Sequence, residues 1–210
     1  NTVLFLGDHI YQYHLKEKKF STITEEEGKD IVGTLVPFDH QENLTYINDI
    51  KHIYELDDQT SRLKTVFECY TDTVISSVSH DEQGHFWIGS NFGLIHYDPV
   101  LKSRTLVPTN LFTEINMVLC DQKGKVWIGV DNMLFAYFIK EQKFVLFGES
   151  NGAIQNEYLP NARLVNEQGD AYIGGVKGML RIDGQLLLNT SEMPELQLLD
   201  ITINGESANH

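Results

Sequence analysis

A nine-residue pattern occurs three times in the chain and constrains the fold more than any other feature, because a repeat dictates an architecture of repeated units. Asp81-Glu82-Gln83-Gly84-His85-Phe86-Trp87-Ile88-Gly89 recurs as Asp121-Gln122-Lys123-Gly124-Lys125-Val126-Trp127-Ile128-Gly129 and as Asn166-Glu167-Gln168-Gly169-Asp170-Ala171-Tyr172-Ile173-Gly174, at shifts of 40 and 45 residues. Each copy continues alike, through Gly93-Leu94-Ile95-His96-Tyr97, Met133-Leu134-Phe135-Ala136-Tyr137 and Gly178-Met179-Leu180-Arg181-Ile182. Two weaker copies precede them. Asn43-Leu44-Thr45-Tyr46-Ile47-Asn48 stands where the aromatic core of the pattern would, and Val3-Leu4-Phe5-Leu6-Gly7 followed by Ile10-Tyr11-Gln12-Tyr13 reads as a shortened first copy. Taking Tyr13, Leu56, Tyr97, Tyr137 and Ile182 as equivalent gives steps of 43, 41, 40 and 45 residues.

Within a unit the residues alternate with the period of strands, not helices. In the third unit, Val74 to Ser79 reads as a strand and Asp81-Glu82-Gln83-Gly84 as a hairpin turn, in which Asp bonds the backbone ahead and Gly takes the left-handed position. His85 to Ser90 and Leu94 to Tyr97 follow as strands, and a fourth spans Arg104 to Val107. Four short antiparallel strands per unit is the pattern of a propeller blade, so the expected class is all-β, with five blades of about 42 residues over residues 1–190. Trp87, Trp127 and Tyr172 are expected to fill the space between blades, where such rings bury large areas. Gly89, Gly129, Gly174, Gly93 and Gly178 permit close approach or turns. A ring stack for a sugar or a base is the rival explanation of the aromatics, but packing accounts better for one ring at one strand position in every copy.

The run Asp-x-x-Gly-x-x-Trp-Ile-Gly followed by Gly-Leu-Ile-x-Tyr-Asp resembles the repeat of the two-component regulator propeller family, strongly over residues 74–205. The second unit departs from it, lacking both glycines and the Trp, and the fourth has Met133 in place of Gly. The resemblance implies the periplasmic sensor region of a Bacteroides-type hybrid histidine kinase, with the kinase itself elsewhere. Residues 152–175 resemble the last blade of such a propeller, and residues 191–210 a linker and the opening strand of a β-sandwich domain. About seven blades are expected for a whole ring of this kind, so five units read as part of one. The opening at Asn1, with strand-like residues at once, reads as a fragment or a processed chain.

Composition narrows the function. Sixteen Lys and Arg against 30 Asp and Glu leave a net charge of −14, which removes the basic footprint of a nucleic-acid binder. No apolar run approaches the length of a membrane helix. Cys69 and Cys120 sit singly in strand-like segments and are expected as buried free thiols. The eight histidines form no H-x-H or H-E-x-x-H pattern, so neither a metal nor a cofactor is expected. No nucleophile elbow or Cys-His pair stands out, and an enzymatic role is not expected.

Ligands of propellers sit at an end of the axis, where loops converge. The candidates here are the loops entering each innermost strand, which carry Asp72, Glu114, Asn116, Asn156, Glu157 and Tyr158. These side chains can hydrogen-bond to or stack on a sugar. The expectation is a non-enzymatic sensor of an oligosaccharide, acting as a homodimer in the intact protein and signalling through the sandwich domain. The alternatives are a protein-interaction scaffold with an acidic face and, further off, a propeller lyase or hydrolase using Glu114 and Glu157.

Overall fold

A computed structural model describes residues 2–6, 10–23, 36–41, 44–57, 62–70, 72–186, 202–203 and 206–207. Among the described residues, five antiparallel sheets of three or four strands follow one another along the chain, with a two-stranded ladder after them. The first holds β1 (Thr2–Leu6), β2 (Ile10–His14) and β3 (Lys19–Ile23). The second holds β4 (Val36–Gln41), β5 (Leu44–Asn48), β6 (His52–Asp57) and β7 (Arg62–Glu68). The third holds β8 (Ile75–His80), β9 (Phe86–Ser90), β10 (Gly93–Asp98) and β11 (Ser103–Leu106), and the fourth β12 (Met117–Cys120), β13 (Lys125–Val130), β14 (Met133–Phe138) and β15 (Lys143–Phe147). A 3-10 turn at Glu149–Asn151 leads to the fifth, made of β16 (Tyr158–Val165), β17 (Ala171–Gly175) and β18 (Gly178–Ile182). Four strands per unit therefore hold in the three central sheets, while the first and fifth have three each among the described residues. Most of the proposed linker and sandwich opening, 191–201, lies outside the described residues; β19 (Thr202–Ile203) and β20 (Glu206–Ser207) pair as a short ladder.

The same turn chemistry builds three sheets. Gly84, Gly124 and Gly169 adopt φ of 85°, 86° and 84°, a left-handed conformation that only Gly takes without strain. Ahead of each stands an acceptor side chain. Asp81 Oδ1 accepts the N–H groups of Gln83 and His85 at 3.0 and 2.9 Å, and Asp121 Oδ1 those of Lys123 and Lys125 at 2.9 and 3.0 Å. Asn166 Oδ1 does the same for Asp170 N at 2.7 Å.

Alternation along each strand sends successive side chains to opposite faces, so each inner sheet is apolar on both sides. Phe86 and Ile88 meet Ile53, Phe67 and Tyr97 at the seam between the second and third sheets. Trp87 faces the other way, into a cluster with Val118, Val126, Ile128 and Tyr137 between the third and fourth. Trp127 repeats that role one sheet on, with Phe147, Tyr158 and Ile173. Ile10, Ile47 and Tyr54 belong to the seam of the first and second sheets. A Cβ added at Gly89 would lie 2.7 Å from Ile115 Cγ2 and 2.9 Å from Val118 Cγ2, so this position has no room for a side chain. Cys120 is buried in the seam of the third and fourth sheets, and Cys69 is half-buried against that of the second and third; both are free thiols.

The second sheet, which lacks the repeated glycines, is tied by a different acid. Asp49, in the turn after β5, accepts the N–H groups of Lys51 and His52 at 2.7 and 2.6 Å on Oδ1 and the Tyr54 hydroxyl at 2.9 Å on Oδ2, 3.1 Å from His52 Nδ1. Burial pushes its pKa up, but these donors outweigh burial and hold it below the ordinary carboxylate value. A depressed pKa supplies stability that is present above the unfolded-state value, about 3.9, and is lost as pH falls below it. Denaturant unfolding over about pH 5 to 3 is therefore expected to show a shallower pH dependence in Asp49→Asn than in the parent. Superimposable profiles would remove Asp49 from that role.

Candidate functional site

The inner strands β8, β12 and β16 converge, and their free edges would expose unpaired backbone groups if nothing covered them. Side chains of neighbouring inner strands fill that need. Ser77 Oγ and Ser79 Oγ on β8 accept the N–H groups of Val118 and Cys120 on β12, at 3.0 and 2.9 Å. Ser76 Oγ donates to the Ile115 carbonyl. From β16, the Arg163 guanidinium donates to the carbonyls of both Val118 and Val78, spanning three sheets. Burial pulls the pKa of Arg163 down to about 10, which still leaves it charged at neutral pH. Among the described residues no carboxylate pairs with it.

At one end of this axis lie the loops entering the inner strands. Asp72, Glu114 and Glu157 are exposed there and Asn116 is half-buried. Two other candidate residues are engaged structurally. Asn156 is buried, its Oδ1 accepting Lys177 N at 2.9 Å and its Nδ2 donating to the Gly178 carbonyl at 3.3 Å. Tyr158 is 2% exposed, belongs to the core cluster around Trp127, and donates its hydroxyl to the Ile154 carbonyl at 3.2 Å. It is the first residue of β16, not part of a loop, because a register shift between Tyr158 and Arg163 lengthens that strand.

The other end, where β8, β12 and β16 finish, opens into a cleft of about 660 Å³. Its lining includes Glu82, Gln122, Asn161, Arg163, Asn166 and Glu167, drawn from three successive sheets. Lys123 closes one side by donating to the carbonyls of Gln168 and Gly184 at 3.2 and 3.0 Å. None of these cleft residues was singled out for ligand contact from sequence. Glu82, Gln122, Asn166 and Glu167 lie in the turns just beyond the inner strands, while Asn161 and Arg163 lie within β16 itself.

A third place gathers ionisable groups that local spacing did not connect. His96 Nε2 lies 3.1 Å from His85 Nδ1, and Asp81 Oδ2 lies 3.9 Å from that same Nδ1. The ligand atoms of all three residues fall within 4.8 Å of one another. Burial and the neighbouring His85 lower the pKa of His96, so its imidazole favours the neutral form that can coordinate a metal. No sequence motif signals this group; strand pairing brings the three residues together in space.

No protein-family model matches the chain. The curated protein histidine kinase P4 of Formosa agariphila is 25% identical over 93 residues, which are 44% of this chain but only 7% of that protein. The extracellular domain of BT3049 from B. thetaiotaomicron, a protein described as a hybrid two-component system, superposes with a TM-score of 0.61 at 15% identity, over 84% of this chain and 24% of that one. YCF48, solved bound to D1 peptide, superposes with a TM-score of 0.63 at 12% identity, over 86% of this chain and 60% of that one. The fold is a β-propeller. The five sheets are its blades, and β8, β12 and β16 are inner strands flanking its axis. The entry loops and the 660 Å³ cleft lie at opposite ends of that axis. The Asp81, His85 and His96 cluster lines a different cleft, on the seam of the third and fourth blades.

Proposed function

We propose that this chain is part of the extracytoplasmic sensor propeller of a hybrid two-component signalling protein, that it performs no chemistry of its own, and that its ligand is a carbohydrate. The observation that carries this is the shared arrangement of blades with the extracellular domain of BT3049, joined by the segment similar to a histidine kinase. The carbohydrate assignment draws support from the polar lining at both ends of the axis. Exposed Asp72, Glu114 and Glu157 stand at one end, and Asn161, Asn166 and Glu167 at the other. Amide and carboxylate groups of this kind suit the many hydroxyls of a sugar. Signalling then requires that the ligand bind one packing of two propellers in a dimer more tightly than another. The change would pass through a following β-sandwich domain to the kinase.

A thermal-shift screen of the full extracytoplasmic region against an oligosaccharide panel tests this. A ligand at one hundred times its Kd stabilises the folded state by about 2.7 kcal/mol, which is readily measured. The expected result is a shift with one class of glycan and no turnover of it. Loss of the shift in Glu114→Gln with Glu157→Gln would locate the site at the entry loops, and loss in Asn161→Ala at the cleft. A well-folded protein silent to the whole panel would overturn the carbohydrate assignment in favour of a scaffold that docks other proteins, and turnover of a glycan would overturn the non-enzymatic role.

A further inference from the structure

We propose that Asp81, His85 and His96 form a binding site for a divalent transition cation of the zinc, nickel or copper type, in the seam between the third and fourth blades. Strand register creates it. In the β9/β10 ladder Phe86 pairs with Tyr97 and Trp87 with His96, so His96 lies diagonally across from His85 on the face that carries Trp87. Asp81 reaches the same face from the turn that precedes β9. Two imidazoles and one carboxylate are the donors that select zinc and its neighbours, whereas calcium and magnesium take oxygen alone. Donor atoms about 2.0 Å from a tetrahedral ion lie about 3.3 Å apart. The separations of 3.1 and 3.9 Å straddle that value, and the third pair, Asp81 with His96, lies within 4.8 Å.

The groups behind the three ligands are arranged as a metal requires. Trp87 Nε1 donates to Asp81 Oδ2 at 2.8 Å, and two backbone N–H groups hold Oδ1, so the carboxylate is fixed before any ion arrives. On the far side of His85, Asp98 Oδ2 lies 3.6 Å from Nε2. A carboxylate there favours the tautomer whose Nδ1 lone pair points at the ion. Asp98 is itself steadied by the N–H groups of Val100 and Leu101, at 2.8 and 3.0 Å on Oδ1. The three ligands open onto a cleft of about 820 Å³ that also borders Thr105, Tyr137 and Gln142, leaving room for a water or ligand atom in the fourth position.

An independent observation comes from the same positions in the next two blades. In the fourth blade they hold Asp121, Lys125 and Ala136, and the Lys125 ammonium lies 2.8 Å from Asp121 Oδ2. In the fifth they hold Asn166, Asp170 and Arg181, and the Arg181 guanidinium meets Asp170 Oδ2 at 2.7 Å. Each of those blades places a side-chain cation beside its acid. The third blade instead sets two imidazoles beside Asp81, so a bound cation would stand where the next two blades carry Lys125 and Arg181.

The test is titration of the metal-free protein with Zn²⁺ and Ni²⁺ by calorimetry, with Co²⁺ absorption reporting coordination. One equivalent should bind with a Kd in the micromolar range or tighter, unaffected by excess Mg²⁺ or Ca²⁺. His96→Ala and His85→Ala, each checked for cooperative unfolding, should abolish that equivalent, and Asp98→Asn should weaken it roughly ten-fold or more. If His96→Ala does not fold, His96→Gln serves in its place. Failure of the folded parent to bind, or retention of the full equivalent in both histidine variants, would overturn the proposal. Running the glycan screen on metal-free protein keeps carbohydrate sensing independent of either outcome.

Discussion

Trp127→Ala is expected to lower the free energy of unfolding by roughly 3–5 kcal/mol, the range for emptying a buried Trp site. The ring is 1% exposed, packs edge-on against Phe147 at 5.2 Å, and belongs to the seam between the fourth and fifth blades. Phenylalanine makes a sharper probe. Among the described residues, Trp127 Nε1 is buried with no hydrogen-bond partner, whereas Trp87 Nε1 donates to Asp81 at 2.8 Å. In the fourth blade the equivalent carboxylate oxygen faces the Lys125 ammonium instead. Trp127→Phe thus deletes an unsatisfied donor, a gain that offsets lost volume, while Trp87→Phe removes a donor from a charged carboxylate, a difference of about 1–3 kcal/mol. Urea unfolding should rank Trp87→Phe as the more damaging, although Trp87 is the slightly less buried ring. The reverse order would mean that the Trp87 to Asp81 bond contributes nothing net.

Arg163→Met should cost about 3 kcal/mol, because the carbonyls of Val78 and Val118 would both lose a charged donor at a buried strand edge. Methionine keeps the apolar stem as far as the position of Nε, so the loss is chiefly that of the guanidinium and its two hydrogen bonds. Arg163→Lys restores the charge but not the planar fork that reaches two strands, and it is expected to recover only part of the loss. An Arg163→Met protein within about 0.5 kcal/mol of the parent would show that relief of the buried charge compensates for the orphaned carbonyls.

The blades were legible because their causes are local. Asx acceptors and left-handed glycines mark three turns, and the third-unit strands inferred from alternation differ from β8 to β11 by one residue at each changed boundary. The second blade was harder, since Asp49 does in a later turn what the repeated acid and glycine do elsewhere. Candidate sites were less legible because they depend on register and convergence. His85 and His96 are eleven residues apart and share no motif; only the tight turn at Asn91 and Phe92 folds them onto one face. Arg163 reads as an ordinary strand residue until three inner strands meet around it. Asn156 and Tyr158 have the right chemistry for a ligand, yet their hydrogen-bonding atoms are engaged within the fifth blade and the turn that leads into it.

The two cysteines give the molecule a built-in clock for its seams. A thiol reacts as the thiolate, and burial raises the pKa of Cys69 to about 11 and that of Cys120 further still. Cys120 is 2% exposed in the cluster between the third and fourth blades, so opening of that seam or of the adjoining cleft speeds its alkylation, whereas half-buried Cys69 samples the junction of the second and third. Their labelling rates would therefore time the breathing of two adjacent junctions in the unmodified protein, and a ligand that clamps one of them would slow one rate and leave the other unchanged.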